Sequence, residues 1–258
     1  MYKQIVLLTR KKGTTHEAFA DYWRETHAPL AEDIAGVRRY NMVLPTDPEN
    51  AEFDGLAELY FESLTELYEV FGSRGDHEPD FGREAVAAVN TDVRNFADLG
   101  ALTRFAGEET VQRDDVDGDT DGLYKHSAFL VRQEGMSHEA FVEYWQHNHT
   151  PIAREIEGVV RYATVLPAEP EHAAFDGVAE LYFEDVDALQ DALGGAGSRD
   201  YDPEKGVAKR AREAWNNFRA TDGRPRLMGR GSGRRGGQGS CPYHGRQAGG
   251  RWPGPSPS

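Results

Sequence analysis

Slid along itself by 122 residues, the sequence aligns with itself without a gap, giving 34 identities in 61 positions from Tyr2 to Glu62. YKQIVLLTRKKGTTHEAFADYWRETHAPLAEDIAGVRRYNMVLP lies over YKHSAFLVRQEGMSHEAFVEYWQHNHTPIAREIEGVVRYATVLP, and FDGLAELYFE lies over FDGVAELYFE. Asn95-Phe96 still falls on Asn217-Phe218. Chance does not produce such a match, so the chain is two tandem copies of one unit. Copy one is read as residues 1–107 and copy two as 123–228. Between them, 108–122 is rich in acids and poor in apolar residues, which reads as a solvated linker. The Gly/Arg-rich tail, 229–258, reads as disordered, or as a basic RNA-binding arm that lacks interleaved aromatics.

Within a copy the periods are legible. Residues 2–10 are apolar on both alternating faces, as in a strand covered on both sides. Thr15 and Ser137 are helix N-caps, each followed two residues later by a glutamate that suits the positive end of a helix. Phe19, Tyr22, Trp23, His27 and Leu30 recur at three- and four-residue spacing and build one helical face. Val37–Leu44 and Leu56–Glu62 read as strands, a second helical stretch broken at 72–80 runs to about Asp98, and Leu99–Phe105 is the closing strand. The order β-α-β-β-α-β is the ferredoxin-like unit of an α+β fold. Helices on one face leave the other face of the sheet bare, and the nearest cover is the other copy's sheet. The expectation is a monomer with an internal pseudo-twofold, an α+β barrel made inside one chain; further dimerisation stays open.

Charge sharpens the reading. The net charge is −15, and residues 1–223 alone carry −22, because residues 224–258 hold seven arginines and no acid. Such a surface repels phosphate backbones and argues against nucleic acid or anionic membrane as a partner. Acid excess with few lysines also resembles the surfaces of halophile proteins. No apolar run approaches the ~20 residues that span a bilayer. The lone cysteine, Cys241, allows neither an intrachain disulfide nor a thiolate zinc cluster. A cytoplasmic location is the default.

The pattern R-x2-G-x3-E-x-F-x2-YW-x3-H-x-P, at Arg10–Pro29 and again at Arg132–Pro151, resembles the EthD family signature. The pattern G-V-x-R-Y at Gly36–Tyr40 and Gly158–Tyr162, and D-G-x-A-E-x-Y-F at Asp54–Phe61 and Asp176–Phe183, fit the same resemblance. It implies the dimeric α+β-barrel superfamily, which includes small-lactone isomerases, cofactor-free monooxygenases, polyketide cyclases and haem-handling enzymes. Members are often labelled oxidoreductases, and most carry one copy that pairs between chains.

His27 and His149 are the candidate catalytic residues. Each lies four positions after a tryptophan near a helix end, where burial and the helix terminus oppose one another and set the ring near neutrality. The competing reading is a structural histidine that holds the His-x-Pro turn. Tyr22, Trp23, Tyr40 and Tyr60, with Tyr144, Trp145, Tyr162 and Tyr182, are candidates to line a substrate pocket or to be plain core. Glu58 and Glu180 are second acid–base candidates should they face the barrel interior. Arg10 and Arg132 read as substrate clamps or ion-pair partners. No phosphate-cradling glycine loop or serine elbow is present, so no nucleotide cofactor is expected, and haem is carried only by the resemblance. The expectation is a small enzyme, of oxidoreductase or isomerase/dehydratase type, acting on a small hydrophobic or aromatic oxygenated metabolite. The rival is a non-catalytic small-molecule or haem-binding accessory protein, and a further option is that only one copy has kept its activity.

Overall fold

In the computed structural model, residues 1–73, 83–193, 206–218 and 226–235 are described. Copy one runs β1 (Tyr2–Leu8), α1 (His16–Tyr22), α2 (Ala28–Glu32), β2 (Arg39–Pro45), β3 (Gly55–Phe61), α3 (Leu64–Phe71), α4 (Glu84–Asp92) and β4 (Thr103–Asp114). Copy two repeats it as β5 (Tyr124–Leu130), α5 (His138–Tyr144), α6 (Thr150–Ala153), β6 (Val159–Pro167), β7 (Gly177–Phe183), α7 (Val186–Leu193), α8 (Gly206–Asn216) and β8 (Arg226–Arg235). Thr15 and Ser137 cap α1 and α5, accepting hydrogen bonds from the amides of Ala18 and Ala140.

The strands close a barrel in the order β1-β3-β2-β8-β5-β7-β6-β4. The expected intramolecular α+β barrel is present, and its two halves are joined edge to edge as well as facing. β4 pairs with its own β1 and with β6 of copy two; β8 pairs with its own β5 and with β2 of copy one. Each last strand thus closes over the other half, which leaves no open sheet edge.

Two expectations about boundaries need correction. Residues 108–114, read as linker, continue β4, and 229–235, read as disordered tail, continue β8. Acidity misled in the first case. Glu109 points into the barrel, where Lys3 and Arg161 neutralise it. Glycine misled in the second: a Cβ on Gly229 would lie 2.3 Å from the Leu44 carbonyl oxygen, so β8 reaches β2 only with glycine there. Its copy-one counterpart, Gly107, sits equally close to the Leu166 carbonyl. The remainder of the tail, 236–258, lies outside the described residues.

Strand alternation splits the core in three. Val6, Leu8, Ala57 and Leu59 face the helices of copy one, and Ala128, Leu130, Ala179 and Leu181 face those of copy two. Ile5, Leu7, Val43, Leu56, Phe105, Phe129, Val165, Val178 and Leu227 fill the barrel from both halves. Across the pseudo-twofold, a fully buried charge cluster replaces this apolar filling. Lys3 Nζ lies 3.1 Å from Glu58, 2.6 Å from Glu180 and 2.9 Å from Glu109. Lys125 Nζ bridges Glu58 and Glu180 in the same way. Burial pushes the Glu58 carboxyl up, and Lys125 and Lys3 more than reverse it, holding it well below the usual carboxylate range. Removing one member of such a cluster strands the others without water, so the two halves are tied to one register.

Candidate functional site

Between α1 and α2, and again between α5 and α6, the chain makes a single π turn, Trp23–His27 and Trp145–His149. The Ala28 amide reaches back five residues to the Trp23 carbonyl, and Thr150 does the same to Trp145. π turns are rare inside helices and frequent at functional sites. Here the turn sets tryptophan and histidine on the helix face that packs on the sheet. Trp23 and Trp145 lie directly on Gly55 and Gly177, where a Cβ would come within 2.2 and 2.3 Å of the indole. Both indoles are fully buried and belong to the core.

His27 is 6% exposed and its Nδ1 lies 2.9 Å from Asp92 Oδ2. Asp92, at the end of α4, also accepts from the Tyr22 hydroxyl at 2.7 Å and from Asn95 Nδ2 at 2.9 Å. Burial pushes the Asp92 carboxyl up, and the hydrogen bonds from Tyr22, His27 and Asn95 outweigh it, so the group sits below its ordinary value and is ionised near neutral pH. An ionised acceptor fixes the imidazole with its proton on Nδ1 and its lone pair on Nε2. For His27, burial lowers the pKa and Asp92 partly restores it; the net direction is down, so the ring is neutral near pH 7. The His27 ring packs on Phe96, centroid to centroid 4.8 Å.

This ring lines a cavity of about 40 Å³ between the sheet and the helices of copy one. Val6, Leu8, Leu59, Phe71 and Val93 supply apolar wall, and Tyr40, Asn90 and Arg104 supply polar atoms. Tyr40 is buried and its hydroxyl accepts from Trp23 Nε1 at 2.6 Å. The volume is small beside the ~150 Å³ cavity that admits benzene. A haem macrocycle does not fit it, and among the described residues no group of three or more His, Cys, Asp or Glu is placed to hold a metal ion.

Copy two differs at one decisive position. Residue 214, the counterpart of Asp92, is alanine. His149 is as buried as His27, at 3%, and packs on Phe218 in the same manner, but no aspartate stands at that position. Tyr144 accepts from Asn217 at 3.2 Å, so the phenol and amide of the network remain, and Ala214 brings no carboxylate of its own.

The other sequence candidates divide. Tyr22 and Tyr40 stay with His27, and Tyr144 shares Phe218 with His149. Tyr162 lies 3.4 Å from the Thr150 hydroxyl. Tyr60 and Tyr182 are not brought to the histidines. They point into the barrel, where Arg39 and Arg161 stack on their rings at 4.2 and 5.2 Å. Glu58 and Glu180 face the same interior, bound to the two lysines. Arg10 and Arg132 bond to Asp54 and Asp176 through backbone amide and guanidinium, which makes them ion-pair partners. Sequence reading missed Asp92, Asn90 and Arg104. No sharp signal marked the first: residues 84–92 and their counterparts 206–214 share no identity, and the copies match again only at Asn95-Phe96 and Asn217-Phe218.

A sequence model of the EthD domain matches residues 11–100 and 133–195. No curated protein sequence matches the chain. Among solved structures, an anthrone oxidase-like protein superposes with a TM-score of 0.59 at 12% identity, covering 92% of this chain and 94% of that one. A putative monooxygenase from Fusobacterium nucleatum subsp. nucleatum ATCC 25586 gives 0.55 at 10% identity, covering 91% and 95%. A putative chlorite dismutase gives 0.52 at 13% identity, covering 89% and 93%. At these identities the likeness concerns the fold alone, the dimeric α+β barrel. Among the described residues no helix is long and apolar enough to cross a membrane.

Proposed function

The chain belongs to the EthD domain family, and from that premise we propose that it is a small enzyme that moves a proton on a compact, oxygenated hydrophobic metabolite, with His27 as the base. The single observation behind this reading is the buried His27–Asp92 pair at the wall of a mostly apolar cavity. Nε2 removes a proton from carbon or oxygen next to a carbonyl, and the imidazolium so formed is stabilised by Asp92. Tyr22 and Asn95 keep that carboxylate in place. Return of the proton to another carbon is an isomerisation, and its delivery to a departing hydroxyl is a dehydration. An oxidation would share the first step and then require dioxygen as electron acceptor. Copy two, with Ala214 in place of the aspartate, serves as the brace that completes the barrel.

Proton transfer at carbon can be read without knowing the product. The intact protein is incubated in D2O with short ketones, lactones and oxo acids, and loss of C–H signal is followed by NMR. The proposal expects exchange with one class, falling about 100-fold or more in His27→Gln. Exchange that persists unchanged in that variant rules His27 out.

A further inference from the structure

The chain is acidic overall, and its arginines mostly sit on carboxylates: Arg38 on Glu62 and Glu66, Arg83 on Glu69, Arg113 on Asp115, Arg161 on Glu109. Arg104 does not. It lines the His27 cavity from β4, opposite Val6 of β1, and among the described residues no carboxylate lies within ion-pairing distance of it. The acid nearest the chemistry, Asp92, is committed to Tyr22, His27 and Asn95. Asn90 donates to the Val86 carbonyl at 2.9 Å. Arg104 is exposed, whereas His27, Tyr40, Ala57 and Leu59 are buried, so the guanidinium marks the mouth and the apolar wall lies behind it.

We propose that Arg104 is the substrate anchor of this cavity, and that the substrate is a short carboxylate whose few-carbon apolar end enters towards His27. A guanidinium offers a planar fork that matches a carboxylate with two parallel hydrogen bonds. The volume behind it, about 40 Å³, limits the apolar end to a few carbons. This deepens the reading of the copy-one cavity as the reaction site, and it narrows the substrate from any oxygenated metabolite to a small acid.

The test uses the full chain with propionate and its neutral isostere propionamide at matched ionic strength, following the His27 imidazole carbons by NMR. The resonance is assigned by its loss in His27→Gln. Propionate is expected to shift His27 saturably and to bind at least about tenfold tighter than propionamide. Arg104→Gln should remove that advantage and leave propionamide binding unchanged. Arg104→Lys should recover part of it. Equal affinity for the two probes, an Arg104→Gln affinity for propionate within about twofold of the parent, or no shift of His27 by propionate overturns the anchor. The exchange experiment on His27→Gln can fail while this one succeeds, and the reverse, so the two ideas fall separately.

Discussion

The two halves share their architecture to the level of single contacts, and beside the buried histidine they differ in a carboxylate, Asp92 in copy one against Ala214 in copy two. Both carry the π turn, the tryptophan laid on a strand glycine, the Arg–Asp pair after the first strand, and a last strand lent to the other half. These features position chain. At Asp92 and Ala214, beside the histidine, the copies part. The barrel needs both halves, since each covers the other's inner face, whereas one reaction site suffices. On the function proposed above, the second half completes the fold whether or not it carries the acid.

The comparison can be broken first at what the halves share. Lys3→Met takes one cation from Glu58, Glu180 and Glu109, leaving Lys125 to face both Glu58 and Glu180 and Arg161 to face Glu109, and loss of one partner from a buried ion cluster costs about 3–5 kcal/mol. Lys125→Met takes a cation from two of those three, which keep Lys3, and should cost less; equal midpoints in urea would contradict the asymmetry. Next comes the site. Asp92→Ala, which makes copy one resemble copy two, should lower proton-exchange activity about 100-fold, while His149→Gln changes it by less than about twofold. Comparable losses would mean that both copies work. Third, Gly55→Ala and Gly177→Ala should each cost about 1–3 kcal/mol, alike in the two halves, measured by thermal unfolding.

The smallest effect concerns a second difference. Where copy one has Gln4, copy two has His126, a buried residue whose pKa burial, with Arg226 adding to it, lowers from 6.5 to about 3. Below pH 6.5 the unfolded chain binds a proton that the folded chain refuses. The stability cost thus grows as pH falls from 6.5 towards 3, reaching roughly 2 kcal/mol at pH 5. His126→Gln should flatten that part of the acid-stability curve and leave stability above pH 7 little changed; an unaltered pH dependence between 7 and 5 would remove His126 from the account.

Much of this was legible in the residues. The 122-residue repeat, the caps at Thr15 and Ser137, and the strand and helix periods give the unit, and apolar residues on both faces of β1 give its need for a covering half. Lys3 and Lys125 were hidden because lysine, glutamate and arginine inside a barrel look like surface in a linear pattern. The same blindness made 108–114 look like linker and 229–235 like tail. His27 was visible through its spacing from Trp23. Its carboxylate was not, because Asp92 lies 65 residues away and only the packing of α4 brings it to 2.9 Å. Strand parity alone does not say which face is the barrel interior, so the sequence does not separate Tyr60 from the residues around His27.

The most direct measurement is the titration of the His27 imidazole by NMR in the parent chain and in Asp92→Ala. Burial lowers its pKa and Asp92 holds part of it up, so the account predicts a value below 6.5 in the parent and a lower one still without the carboxylate. A pKa that stays put or rises when Asp92 is removed would mean that the pair does not operate, and that Asp92 does not set the two histidines apart.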